Sequence, residues 1–125
     1  MAIYVKDIIR SEIVEVPGEF KHVEVVCTDV SFSNVTYRII CLYRKPGFND
    51  TDLLNINDCV RCLKKLCSTD KLTVIAGDCN LPDIDWSYYS APNTPIYTAF
   101  LDFVNSYGFH QYINEPTRQL KLHDS

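Results

Sequence analysis

Apolar and polar positions along the chain repeat with two periods, and the change between them lays out the elements. In the amino-terminal third the apolar runs are short and rich in β-branched residues. Residues 2–5 (AIYV) predict a short strand, and residues 8–16 (IIRSEIVEV) a second, closed by the turn pair Pro17-Gly18. Residues 22–32 (HVEVVCTDVSF) predict a third, and Ser33-Asn34 a tight connection to a fourth at residues 36–43 (TYRIICLY). The links are too short for parallel crossovers, so an antiparallel meander is expected. In the fourth strand Tyr37, Ile39, Cys41 and Tyr43 share one face, and Ile40 and Leu42 the other. Apolar residues on both faces predict a central strand covered on both sides.

The period then lengthens. Pro46, Gly47 and Asn49 break the strand pattern, and Asn49, Asp50 or Thr51 is placed to cap a helix. Leu53, Ile56, Val60, Leu63 and Cys67 recur at steps of three and four, which predicts an amphipathic helix ending near Ser68. Arg61, Lys64 and Lys65 fall elsewhere on that helix and read as a solvated basic face, the last two where the helix dipole favours cations. Residues 72–77 form an apolar run on both faces and predict a buried strand. Residues 88–95 (YYSAPNTP) are a loop by composition. Residues 96–106 predict a second helix that buries Phe100, Leu101, Phe103 and Val104 and ends at Gly108. Residues 111–113 predict one more short strand. Strands with helices between them, free of repeats and linkers, give an α/β or α+β layered fold.

Composition narrows the class. A chain of 125 residues is one domain or part of one, and 46% apolar with 22% charged residues excludes disorder. The net charge of −4 argues against a non-specific nucleic-acid binder, whose affinity comes from a basic surface. It leaves room for a nuclease that confines positive potential to one face or borrows it from a metal ion. Of six cysteines, Cys27 and Cys41 lie in strand-like runs, and Cys59, Cys62 and Cys67 on the first helix. The helix trio lacks the second ligand pair of a structural zinc site. The thiols read as small buried hydrophobes in a reducing, intracellular compartment, with no disulfide-linked partner. The opening residues, MAIYVKDIIR, carry no secretory signal, and no apolar run approaches the roughly 20 residues needed to cross a bilayer. Nothing in the sequence reports the oligomeric state.

The chemistry concentrates in residues 72–86, LTVIAGDCNLPDIDW. The apolar run stops at Gly77-Asp78, and ligands collect beyond the carboxyl ends of such strands. Asp78 and Asn80 have the same parity, so one carboxylate and one amide are expected to converge there. The ordinary alternative is a turn, with the Asp78 side chain bonded to nearby backbone. Asp83 and Asp85, beside Pro82 and Trp86, read as turn residues rather than metal ligands.

GDCN resembles the GD-x-N signature of the endonuclease/exonuclease/phosphatase superfamily, which includes pancreatic DNase and the apurinic/apyrimidinic endonucleases. The longer GDCNLPDIDW is similar to the endonuclease domain that precedes the reverse transcriptase in non-LTR retrotransposons. AIYVKD, IICLYRKPG and FLDF…GFHQYINEPTR resemble further segments of that family in the same order. The resemblance implies a DNase-like four-layer sandwich, two β-sheets face to face with helices outside, of which residues 1–125 supply an incomplete, central portion. It implies hydrolysis of a DNA phosphodiester, with Mg2+ or Mn2+ as cofactor of the complete domain. Asp78 then matches the carboxylate that activates the attacking water, Asn80 the amide that steadies water or phosphate, and Tyr43 the tyrosine that touches the scissile phosphate. The bland reading of Tyr43 is a packed ring with a wet tip. Thr117 and Arg118 match a pair near the substrate groove, although a surface arginine without a specific role fits Arg118 as well. Asp124 matches by spacing the aspartate that orients a downstream histidine. Trp86 and Phe103 read as packing.

Departures from the family pattern set a second group of expectations. The family's metal-binding Asn and Glu would precede Met1, and its closing Ser-Asp-His would follow Ser125; His123-Asp124 has the wrong order to replace it. Cys79 stands where a Phe is usual. This chain is therefore expected to hold no metal-ligand set and to cleave little or nothing alone. Two alternatives remain at this point: a phosphatase of the same superfamily acting on inositol lipids or nucleotides, and a non-catalytic remnant or interaction domain.

Overall fold

The computed structural model describes residues 1–112. Thr117, Arg118, Asp124 and the end of the strand expected at 111–113 lie outside the described residues; Gln111 and Tyr112 are in neither strand nor helix. Three antiparallel strands come first: β1 (Arg10–Val14), β2 (Glu24–Phe32) and β3 (Val35–Tyr43). Helix α1 (Asp50–Leu66) then leads to β4 (Leu72–Asp78), which pairs parallel with β3, and α2 (Pro95–Ser106) follows. The result is a mixed α/β arrangement with an open four-stranded sheet of order β1-β2-β3-β4 and two helices.

Local chemistry accounts for the joints. Ser33 and Asn34 both take left-handed backbone angles (φ 51° and 64°), the pair of conformations that lets a two-residue hairpin follow the twist of its strands. Asn49 caps α1: its side chain accepts from the Asp52 N–H at 2.9 Å, and the Asp52 carboxylate accepts from the Asn49 N–H at 3.1 Å. The basic residues of α1 are less solitary than the pattern suggests. Lys65 reaches Glu19 at 2.7 Å and Arg61 bonds Asp58 at 3.1 Å, exposed pairs of small energetic weight.

Burial is one-sided. Ile40 and Leu42 of β3 and Cys27 of β2 pack beneath Ile56, Cys59, Cys62 and Leu63 of α1 and join one core with Ile96, Phe100, Phe103 and Val104 of α2. The expectation that β3 and the 72–77 strand are covered on both faces is corrected. β4 is the edge of the sheet, with Leu72 58% and Val74 48% exposed, and Tyr37, Ile39 and Cys41 on the same face are only partly buried. An apolar face is buried only where another layer lies on it, and among the described residues helices lie on one side alone.

Residues 2–5 form no strand; β-forming residues need a ladder partner, and the chain turns at once, with the Ile9 N–H bonding the Lys6 carbonyl. The second predicted strand shrinks to Arg10–Val14 because only those residues find partners on β2.

On the helix-facing side of the sheet Asp29 is nearly buried. It accepts two bonds from the Arg38 guanidinium at 2.9 and 3.0 Å and one from Lys71 at 2.6 Å. Arg38 also donates to the carbonyl of Leu66, so the group ties the end of α1 to the sheet. Hydrogen bonding to Arg38, joined by Lys71, holds the Asp29 carboxyl down at about 2, below its ordinary 3.8.

Candidate functional site at the end of the parallel strand pair

β3 and β4 run in the same direction and finish together, with Tyr43 and Asp78 as the last Cα partners of their ladder. Cross-strand partners share a face of the sheet, here the one turned away from the helices. Tyr43 is 37% exposed and Asp78 is exposed. The ladder is locked one residue further, where the Arg44 N–H donates to the Asp78 carbonyl at 2.9 Å.

Gly77 makes this close approach possible. Its φ is +122°, and a Cβ there would lie 1.8 Å from the Leu42 carbonyl oxygen. The break in the apolar run is thus a backbone requirement.

After Asp78 the chain turns. One carboxylate oxygen of Asp78 accepts from the Asn80 N–H at 2.9 Å, so the ordinary turn role holds for that oxygen. The other oxygen has no bonding partner among the described residues. Asn80 sits at φ 51°, and its side-chain NH2 donates to the Arg44 carbonyl. Strand parity therefore does not place Asn80; the turn and the Arg44 carbonyl do. Tyr43, Asp78 and Asn80 lie together at one strand end.

Arg44 lies within the IICLYRKPG segment, but the sequence assigns it no role. Its side chain is almost wholly buried, at 1% exposure. Nε donates to the Cys79 carbonyl at 2.8 Å, Nη1 to Gly47 at 3.0 Å and Nη2 to Asn80 at 3.1 Å. Phe48 lies 5.5 Å from the guanidinium carbon and stacks on Tyr97. A sequence shows only an arginine after an apolar strand; the demand of three turned carbonyls for donors belongs to the tertiary structure.

Around this corner the side chains pack or turn the chain. Cys79 packs against the core, and burial pushes its thiol up to about 12. Trp86 meets Tyr89 edge-on at 5.4 Å. The Asp85 carboxylate accepts from the Ser87 N–H at 3.0 Å, and the Asp83 N–H donates to the Tyr97 hydroxyl at 3.2 Å, so both residues lie in the expected turn. A polar hollow of about 270 Å3, lined in part by Arg10, Glu12, Asp29 and Lys71, opens at the other end of the sheet and takes in none of the three corner residues.

Residues 37–125 match the family model described as endonuclease-reverse transcriptase. The chain belongs to this family. The match covers Tyr43, Asp78 and Asn80 and supports the link to the endonuclease/exonuclease/phosphatase superfamily and its retrotransposon endonucleases. No curated protein matches the chain.

The endonuclease-reverse transcriptase assignment makes a divalent cation the natural question. Among the described residues no group of three or more His, Cys, Asp or Glu side chains is gathered to hold a metal. Asp78 and Asn80 supply oxygen donors of the kind Mg2+ takes, but they do not make up a site for the ion by themselves. No disulfide links the six cysteines, and no helix among the described residues is long and apolar enough to cross a membrane.

Proposed function

We propose that this chain is part of a DNA endonuclease of the retrotransposon type and that the Tyr43–Asp78–Asn80 corner is where it engages the scissile phosphodiester. The single observation that carries this reading is the pairing of Tyr43 with Asp78 at the close of the β3–β4 ladder, with Asn80 bonded back to the same strand end, inside the family-matched residues.

Water is a poor nucleophile at neutral pH, and the anionic phosphate repels it. The Asp78 oxygen left open by the turn orients a water and takes its proton as the new P–O bond forms. The Tyr43 hydroxyl donates to a non-bridging oxygen, where negative charge accumulates. The Asn80 amide, with one N–H spent on Arg44, keeps a second N–H and a carbonyl oxygen for phosphate or water. The leaving oxygen departs as the P–O bond breaks and ends protonated. The family resemblance adds Mg2+ or Mn2+, which neutralises phosphate charge when bound; the residues described here do not complete its site, and no step is assigned through it.

The second sheet of a DNase-like sandwich belongs to the same reading. It would cover the face that carries Val26, Val30, Ile39, Cys41, Leu72 and Val74, whose apolar character the helices leave unused.

The test is a duplex oligonucleotide titrated into the 15N-labelled chain with Mg2+ present, alongside nicking of supercoiled plasmid. Signal shifts at Tyr43, Asp78 and Asn80, with any nicking lost in Asp78→Ala, support the reading. Shifts confined to other surfaces, or nicking that survives Asp78→Ala, overturn it.

A further inference from the structure

The geometry at the corner points to Arg44 as the positioning residue for Asn80, a role that rests on the functional reading above only in its catalytic consequence. Four hydrogen bonds join Arg44 to the 78–80 segment: Arg44 N–H to Asp78 O, Nε to Cys79 O, Nη2 to Asn80 O, and Asn80 Nδ2 back to Arg44 O. The third guanidinium arm holds Gly47, so the β3–α1 loop and the β4 exit are fastened by one side chain.

Three features make this a fixed clamp. The guanidinium is planar, so its donors keep set directions. It is buried and forms no ion pair with any carboxylate among the described residues; its charge is met by carbonyl oxygens. Asn80 occupies a left-handed conformation, which asparagine tolerates better than most side chains and which the bonds to Arg44 select here. Arg44 receives the Asn80 side chain on its own carbonyl and grips the Asn80 carbonyl with its guanidinium. The loop around Arg44 is built to match: Gly47 has φ +145°, and a Cβ on it would lie 2.3 Å from the carboxylate of the α1 capping residue Asp52.

A lysine at position 44 keeps the charge but gathers its donors on one nitrogen, which cannot span three separated carbonyls. Arg44→Lys therefore separates geometry from charge, and Arg44→Met removes both while filling similar space. The two protons of any asparagine amide are distinct because its C–N bond turns slowly; in the 15N-labelled wild-type chain the bonded Asn80 proton is expected further downfield than in a solvated amide. In both variants, with no guanidinium to fix the Cys79, Asn80 and Gly47 carbonyls, that signal moves toward the solvated position, and exchange at the Asn80 backbone N–H speeds up by about tenfold or more, while β2 amides keep their protection within about twofold. Should Arg44→Met unfold the chain, Arg44→Lys carries the measurement. Any plasmid nicking by the wild-type chain falls in kcat by about a hundredfold in these variants, with KM changed less than about twofold, the mark of a misplaced group rather than lost binding.

Asn80 signals unchanged in Arg44→Lys, or a KM that rises while kcat holds, overturn the role. The spectroscopic arm decides without turnover. Asp78→Asn separates the two readings, since it keeps an oxygen for the turn and should preserve the Asn80 signals while abolishing cleavage. Cleavage that survives Asp78→Asn sinks the functional reading and leaves the Arg44 clamp standing.

Discussion

Tyr43 and Asp78 are the terminal partners of the parallel β3–β4 ladder, set side by side on the face of the sheet that the helices do not cover. The hydroxyl of Tyr43 has no bonding partner among the described residues, so its loss costs the fold little. Tyr43→Phe is expected to change unfolding free energy by less than about 0.5 kcal/mol. On the proposed reading it lowers any phosphodiester cleavage by the wild-type chain by about a hundredfold, the usual weight of one donor aimed at developing charge. Paired urea titrations and nicking rates test this, and equal rates would remove Tyr43 from the site.

Gly77 admits no side chain. Gly77→Ala forces a Cβ into the Leu42 carbonyl at a backbone angle that alanine avoids, and both effects act on the strand pair that forms the corner. The expected loss is about 3 kcal/mol or more, read as a lower urea midpoint. A variant as stable as wild type would show that β4 can move away from β3.

Acid sensitivity should come in part from Asp29. Its folded carboxyl is held at about 2 against an ordinary 3.8, so the unfolded chain binds the proton more readily. The stabilisation is full above pH 3.8 and is lost as pH falls toward 2, amounting to about 2 kcal/mol. Asp29→Asn should be less stable than wild type at pH 6, with the gap narrowing toward pH 2. A gap that does not change with pH would separate Asp29 from the acid response.

Burial holds the thiols of Cys59, Cys62 and Cys67 at about 11 and that of Cys79 at about 12, against an ordinary 9.0. Thiolate is the reactive form, so near pH 8 alkylation by iodoacetamide should run slower in the native chain than in urea, by about a hundredfold at Cys59, Cys62 and Cys67 and about a thousandfold at Cys79. Mass spectrometry of the modified peptides reads the ratio. Rapid native labelling of Cys79 would mean that the corner opens.

Local pattern carried much of this structure. The three- and four-residue spacing placed α1, and Asn49 was among the three residues expected to cap it. The strand pattern found β2, β3 and β4 to within two residues at either end, and GDCN marked where Asp78 and Asn80 would stand. What the pattern lacked was the neighbour of each element. It made β4 buried because its residues are apolar on both faces, but the layer beyond one face is a tertiary matter, and β4 lies at an edge. It gave residues 2–5 a strand because it cannot see whether a ladder partner is at hand. It passed over Arg44 because the need for that guanidinium arises only when two distant loops turn their carbonyls toward the same point.

The sheet order also has a kinetic meaning. β1, β2 and β3 are joined by short connections and pair with their neighbours in sequence, whereas β4 reaches β3 only after the whole of α1 has been laid across. Closing that long loop is the slower step, because chain entropy is lost before the pairing is gained. Tyr43 thus waits in an early hairpin for Asp78 to arrive late, and the corner comes into being at the final joining of the sheet.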